Sequence, residues 1–312
     1  MSTRALMRIL LLLQGALAGA LCWALLRLGV FGSWYLALAA AAGVLLLLRA
    51  AITANNFVMT ARFASVTPDS FRLGLAARVT LFAEEFMATL LQSSWFMARA
   101  AAREEIYPDS TAPPVLLLHG YGSNSGYWAH LAPLLDAARI SHTALELEPL
   151  LGAIDDYVPL VERACAALCT KCNVPKVIIV AHSMGGLVAR AYLREHGAAR
   201  VAHVFTLGSP HHGTSLARLA LGKNAAQMRR DAGRDAPESG WLQALAGAET
   251  AASRSLITSL FTHHDNIVTP QTSSLLPGAR NIEFGGVGHV ALGRNPRVLA
   301  RLMQELMTCG AR

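Results

Sequence analysis

Hydrophobic and polar positions follow three successive patterns along the chain. Residues 9–26 form an apolar run between Arg8 and Arg27 broken only by Gln14, and residues 28–48 form an uncharged second run ending at Arg49. Each is close to the roughly 20 residues that cross a hydrocarbon core. Together they predict a transmembrane helical hairpin over residues 1–55, turned near residues 29–33, with Trp23, Trp34 and Tyr35 as interfacial anchors. Arg4 and Arg8 ahead of the first run would also suit a secretory signal peptide, but the second run opposes that reading. A lipoprotein signal needs a small residue before its cysteine, and Leu21 precedes Cys22. Gly15 and Gly19 are four apart, as are Ala39 and Gly43, which predicts flat faces for close helix approach and a route to homo-oligomers through these helices.

The second pattern covers residues 56–112, expected to be an amphipathic helical linker. Phe71, Leu75, Val79, Phe82, Phe86 and Leu90 recur at helical spacing, and Pro68, Asp69 and Ser70 mark a helix start. This apolar face has two destinations, the membrane surface or the rest of the protein, and spacing alone does not choose. After Asp109, Ser110, Pro113 and Pro114 the third pattern begins. Short apolar runs at 115–119, 143–148, 177–181, 201–207, 256–261 and 281–284 are mostly separated by helical stretches, at 127–138, 157–168, 184–196 and 296–307. Such alternation predicts an α/β domain over residues 113–312, a mostly parallel sheet with helices on both faces. Functional residues then belong at the carboxyl ends of strands.

Charge changes the picture only in its location. The formal net charge of +7 would raise nucleic acid as a partner, yet no acidic residue precedes Asp69. Arg4, Arg8, Arg27, Arg49 and Arg62 therefore supply five of the seven excess charges. The remainder has no basic stripe interleaved with aromatics, so nucleic-acid binding is excluded. Arginines flank both ends of the hairpin and only Arg27 marks its turn, which predicts an inner (cell) membrane protein with a cytoplasmic catalytic domain.

The sharpest chemical signal is Val177-Ile178-Ile179-Val180-Ala181-His182-Ser183-Met184-Gly185-Gly186, an apolar strand that runs through small residues around a serine into a helix. This has the form of a nucleophile elbow, in which bulk two positions from the serine would collide across the turn. Ala181 stands where a first glycine is usual, adding one methyl. A serine hydroxyl needs a base, and the base needs an acid to orient it. His289 follows a candidate strand in the glycine-rich Gly285-Gly286-Val287-Gly288-His289, and Asp265 follows the strand at 256–261. Asp231 and Asp235 compete as the acid but lack a preceding strand. His211, His212, His263 and His264 compete as the base but lack the glycine-rich setting after the acid. Backbone N–H groups of Tyr121 and Met184 are the candidate oxyanion donors, while His119 is expected to brace its loop.

Four segments together carry a family resemblance: Leu118-His119-Gly120-Tyr121-Gly122, Ala181-His182-Ser183-Met184-Gly185-Gly186, Leu207-Gly208-Ser209-Pro210-His211-His212-Gly213-Thr214 and Gly286-Val287-Gly288-His289. From Pro114 onward the chain resembles the bacterial lipase branch of the α/β-hydrolases, whose members order their triad Ser, Asp, His. The resemblance implies an α/β-hydrolase fold and hydrolysis of esters, commonly acylglycerols, through an acyl-serine intermediate. It also implies a substrate pocket near His119, Gly120, His182, Pro210 and His211, and a cap or lid at residues 215–250. No cofactor is expected. Some lipases of this branch hold a structural calcium near the acid loop, but the sequence shows no oxygen cluster for it.

Cys165, Cys169 and Cys172 share the spacing of an iron–sulfur motif, but they fall on a helix between two strands, which opposes a cluster. The resulting reading is a membrane-anchored serine hydrolase of carboxylic, lipid-type esters. Its rivals are an acyltransferase or thioesterase with the same triad, and a non-catalytic membrane accessory protein.

Overall fold

The computed structural model describes residues 2–101, 103–231 and 237–310. Seven strands form one sheet: β1 (Glu104–Glu105), β2 (Val115–Leu118), β3 (His142–Leu145), β4 (Val177–His182), β5 (Val201–Leu207), β6 (Ile257–Thr262) and β7 (Arg280–Phe284), in the order β1-β3-β2-β4-β5-β6-β7. All neighbours are parallel except β1, which pairs antiparallel with β3 at the edge. The sequence pattern did not reveal β1, because two exposed glutamates have no apolar alternation. Their charge suits an edge strand, where it discourages pairing with another chain.

Side-chain alternation splits the core between the two faces of the sheet. Leu116, Leu118, Ile179 and Ala181 pack with Val161, Leu168 and Leu187 of α5 (Val158–Cys172) and α6 (Met184–His196). On the other face Val115, Leu117, Ile178 and Val180 pack with Trp128, Leu131, Val298 and Leu302. The last two belong to α8 (Pro296–Gly310). The helix expected at 127–138 is divided into a 3-10 turn (Ser125–Ala129) and α4 (Ala132–Ala137), with Pro133 in the first turn of the latter. Proline is tolerated there because first-turn N–H groups have no intrahelical acceptor.

At the N-terminus α1 (Thr3–Arg27) and α2 (Trp34–Ala61) form the hairpin, both long and apolar enough to cross a membrane. Their faces differ from those expected. Gly15, Gly19 and Gly43 look onto open space, and it is Ala37 and Ala41 of α2 that are fully buried. Ala39 and Gly43 lie two residues further along and hence about 200° round the helix, on the opposite side. Trp23, Trp34 and Tyr35 are all exposed around the turn. At the other end the hairpin is tied to the domain: Thr3 N–H donates to Glu148 Oε1, and Arg4 and Arg8 donate to the carbonyls of Ala100 and Ala98.

α2 runs six residues past position 55, and Thr269 Oγ1 donates to the carbonyl of Thr60 near its end. The linker contains a 3-10 turn (Asp69–Phe71) and α3 (Leu75–Leu91), followed by a π-turn (Gln92–Phe96). Here the apolar stripe and the buried face diverge. Leu81, Glu85 and Ala88 are buried, whereas Leu75 and Val79 are exposed and Phe82 meets Phe57 of α2 at 6.3 Å. α3 thus uses one side for the α/β domain and another for the hairpin. Residues 215–250 hold a 3-10 turn (Ser215–Leu219), a short helix (Lys223–Gln227) and α7 (Gly240–Ala248), with Leu219 and Leu221 exposed.

Candidate active site

Ser183 sits between β4 and α6 with φ 53° and ψ −123°, outside the ordinary regions for a residue with a Cβ. Backbone in such a region costs about 1–3 kcal/mol. The surroundings hold it there: Ser183 N–H donates to the carbonyl of Leu207 at 2.9 Å, and Gly120 approaches so closely that a Cβ on it would lie 2.8 Å from Ser183 Cβ. Among the described bonds, the N–H groups of Tyr121 and Met184 have no protein acceptor. The N-terminal end of α6 adds its positive dipole end at the same place.

Asp265 and His289 meet by way of the loops after β6 and β7. His289 Nδ1 lies 2.7 Å from Asp265 Oδ2, and both side chains are buried. Asp265 is fixed in turn, because its Oδ1 accepts from the N–H groups of Ile267 and Val268. The His289 N–H donates to Asn266 Oδ1 at 3.0 Å. Burial would lower the His289 pKa, but Asp265 beside it, with help from Glu85, outweighs burial and raises it above the ordinary histidine value. Asp265 therefore favours the tautomer with a proton on Nδ1, which leaves the Nε2 lone pair able to accept a proton. No described hydrogen bond joins Ser183 Oγ to His289.

Ser183 and His289 line one cavity of about 430 Å³, with Tyr121, His182 and Pro210 among its other walls. His119, Gly120 and His211 do not line it. His119 Nε2 accepts from Leu147 N–H while Nδ1 faces the Gly120 carbonyl, so this ring braces the loop. His211 is held by Thr206 Oγ1 at 3.1 Å, and burial, with the nearby Arg190, lowers its pKa well below the usual range. His182 stacks on Tyr127 with centroids 3.9 Å apart and lies 4.7 Å from the His289 ring. Burial drives its pKa well down, so it stays neutral behind the base.

The competing residues are engaged elsewhere. His212 pairs with Glu238, His263 with Glu283, and His264 accepts from Gly286 N–H. Asp231 is exposed, and Asp235 lies outside the described residues. No disulfide joins any of the five cysteines among the described residues, and burial pushes the Cys165 thiol up to about 12. Among the described residues no three His, Cys, Asp or Glu side chains are grouped to hold a metal.

Two contributions had no signal in the motifs. Glu85 of α3 is fully buried against the His289 loop, its carboxylate accepting from Val290 N–H at 3.1 Å and Ala291 N–H at 2.9 Å. Burial raises its pKa, while those two N–H groups and His289 oppose the rise. Gly288 is required by this contact, since a Cβ there would collide with the Glu85 carboxylate. The second contribution is the outer wall of the cavity, where Asn55, Asn56 and Met59 come from α2 and Thr89 from α3. Glu85 stands beside Glu84 in a helix that also carries Arg78, so nothing in the sequence set it apart as the buried acid.

Comparison with known proteins agrees with this architecture. A mature lipase of Bacillus licheniformis, BlEst2, superposes with a TM-score of 0.55 at 18% identity, covering 66% of this chain and 97% of that one. Lipase B of Aspergillus fumigatus gives 0.55 at 19% identity, covering 65% of this chain and 56% of its own. Residues 115–307, more than half of the chain, match the model of the alpha/beta hydrolase family. The chain belongs to the α/β hydrolase family.

Proposed function

We propose that this protein is a membrane-anchored serine hydrolase that cleaves carboxylic esters, with lipid-type acyl esters as its substrates. One observation carries the reading: a strained serine after β4 shares an apolar cavity with a histidine whose Nδ1 is held 2.7 Å from a buried carboxylate. In the proposed reaction His289 Nε2 takes the Ser183 proton as Oγ attacks the ester carbonyl carbon. The N–H groups of Tyr121 and Met184 receive the developing oxyanion, an interaction whose loss costs about 3 kcal/mol in comparable sites. His289 then returns the proton to the departing alkoxide, leaving an acyl-Ser183 ester. Water, deprotonated by His289, attacks that ester, and His289 returns the proton to Ser183 Oγ as the acid is released.

The anchor rests on α1 and α2, whose most apolar windows are 0% and 17% buried and so do not behave as core helices. Arg4 and Arg8 lie at the domain end of the hairpin and Arg27 at its turn, which favours a cytoplasmic catalytic domain at the inner membrane. A fluorophosphonate should label the wild type and fail to label Ser183→Ala. Equal labelling of both would refute the nucleophile. A reporter fused at the C-terminus should give a cytoplasmic signal, and a periplasmic signal would reverse the orientation.

A further inference from the structure

A second cavity of about 290 Å³ lies between α1, α2 and α3. Leu10, Leu11, Ile52, Phe86 and Leu90 supply its apolar walls, and Leu10 and Ile52 are exposed on its open side. Asn56, Thr89 and Ser93 line both this cavity and the one containing Ser183, so the two spaces share a wall at these residues. At the junction the small Ser93 hydroxyl donates to the Thr89 carbonyl and accepts from Arg49 Nη1. Arg49 also donates twice to Gln14 Oε1, at 3.1 and 2.7 Å. This tie joins α1, α2 and the segment after α3 around the groove and fixes its width.

The groove also lies at a particular depth. Measured along α2 from Trp34 at the hairpin turn, the roughly 20 residues of a hydrocarbon core end near Ala54. Arg49, Ile52 and Asn56 bracket that level, and so do Leu10 and Leu11 on the antiparallel α1. The groove therefore opens where a bilayer's acyl region gives way to its headgroups. From Arg49 to Met59 is about 15 Å along the helix, at 1.5 Å per residue. The space is too small for a helix about 10 Å across, and its lining suits a flexible hydrocarbon chain.

We propose that this groove is the acyl-chain subsite of the enzyme. One chain of a membrane-lipid ester passes from the bilayer between α2 and α3, with its carbonyl at Ser183 and its tail along Leu90, Phe86 and Leu11. The inference rests on the hydrolase reading above and adds the substrate class, a long-chain ester drawn laterally from the membrane.

The test uses the full-length protein in phospholipid vesicles and a hexadecyl fluorophosphonate carrying a diazirine at the chain end. The expected result is a Ser183 adduct whose photo-crosslinks fall on residues 7–14 or 86–93. A Ser183 adduct with crosslinks confined to residues 215–228 overturns the subsite and leaves the hydrolase reading standing. Absence of any Ser183 adduct overturns both. In parallel, Leu90→Trp should lower the ratio of kcat/KM for a palmitoyl ester over an acetyl ester by about tenfold or more. Leu12→Trp, on the exposed outer face of α1, should leave that ratio unchanged. A Leu90→Trp ratio equal to that of the wild type counts against the subsite.

Discussion

Asp265 and Glu85 are buried carboxylates that both act on the His289 loop, and they reach it from different parts of the molecule. Asp265 comes from the loop after β6 and touches the imidazole itself. Glu85 comes from α3, outside the sheet, and touches the two backbone N–H groups that follow the histidine. The first sets which nitrogen of the ring is basic. The second fixes where the ring's loop lies, and it ties that position to a helix packed on the N-terminal hairpin. A site whose chemical groups all belong to the hydrolase domain is in this way closed and steadied by helices outside the domain.

This contrast can be broken by substitution, and the largest effect belongs to the acid. Asp265→Asn should reduce kcat on p-nitrophenyl esters by about 10⁴-fold while leaving the fold intact by circular dichroism, because an amide supports the wrong imidazole tautomer. Near-full activity would remove Asp265 from the proposed triad.

Glu85→Ala comes next. It leaves two buried N–H groups without an acceptor, a loss of about 1–3 kcal/mol each, to be read as a lower thermal midpoint together with reduced kcat. The milder Glu85→Gln separates position from charge. Glu85 raises the His289 pKa, and the base must be neutral, so activity is lost as pH falls through that raised value. Removing the negative charge should move the acid limb of kcat/KM to lower pH. An unmoved limb would reduce Glu85 to a purely structural role.

Asn266→Ala removes the acceptor of the His289 N–H and should cost about 1 kcal/mol, seen as a modest fall in kcat/KM with KM nearly constant. The smallest effect is expected on the outward side of α3. Leu75→Ser, at an exposed position, should change unfolding free energy by no more than about 0.5 kcal/mol. A large loss there would show that the apolar stripe is packed against another surface.

These two routes to the His289 loop also differ in how far the sequence disclosed them. Ser183, Asp265 and His289 follow strands whose apolar runs are short and bounded, and glycines mark the turns that bring them together. Local pattern and long-range position agree, so the catalytic candidates and the parallel sheet were legible. Glu85 lies more than 200 residues before His289, in a helix whose most apolar stripe faces elsewhere. Periodicity finds an apolar stripe but does not identify which side of a helix a neighbouring layer will cover. The same holds for α2, where Ala37 and Ala41 are buried while Gly43, on the face that sequence spacing picked out, looks onto open space. The wall residues Asn55, Asn56 and Met59 carry no motif, because a cavity wall needs only to be shaped, not to react.

α2 is unbroken from Trp34 to Ala61, 28 residues or about 42 Å of continuous helix. Its first half is exposed as a membrane span would be, and its last turns face Ser183 across the cavity. Such a rod has no hinge at which to decouple the two ends. A displacement of the Trp34 end is therefore carried along the rod to Asn55, Asn56 and Met59 in the cavity wall.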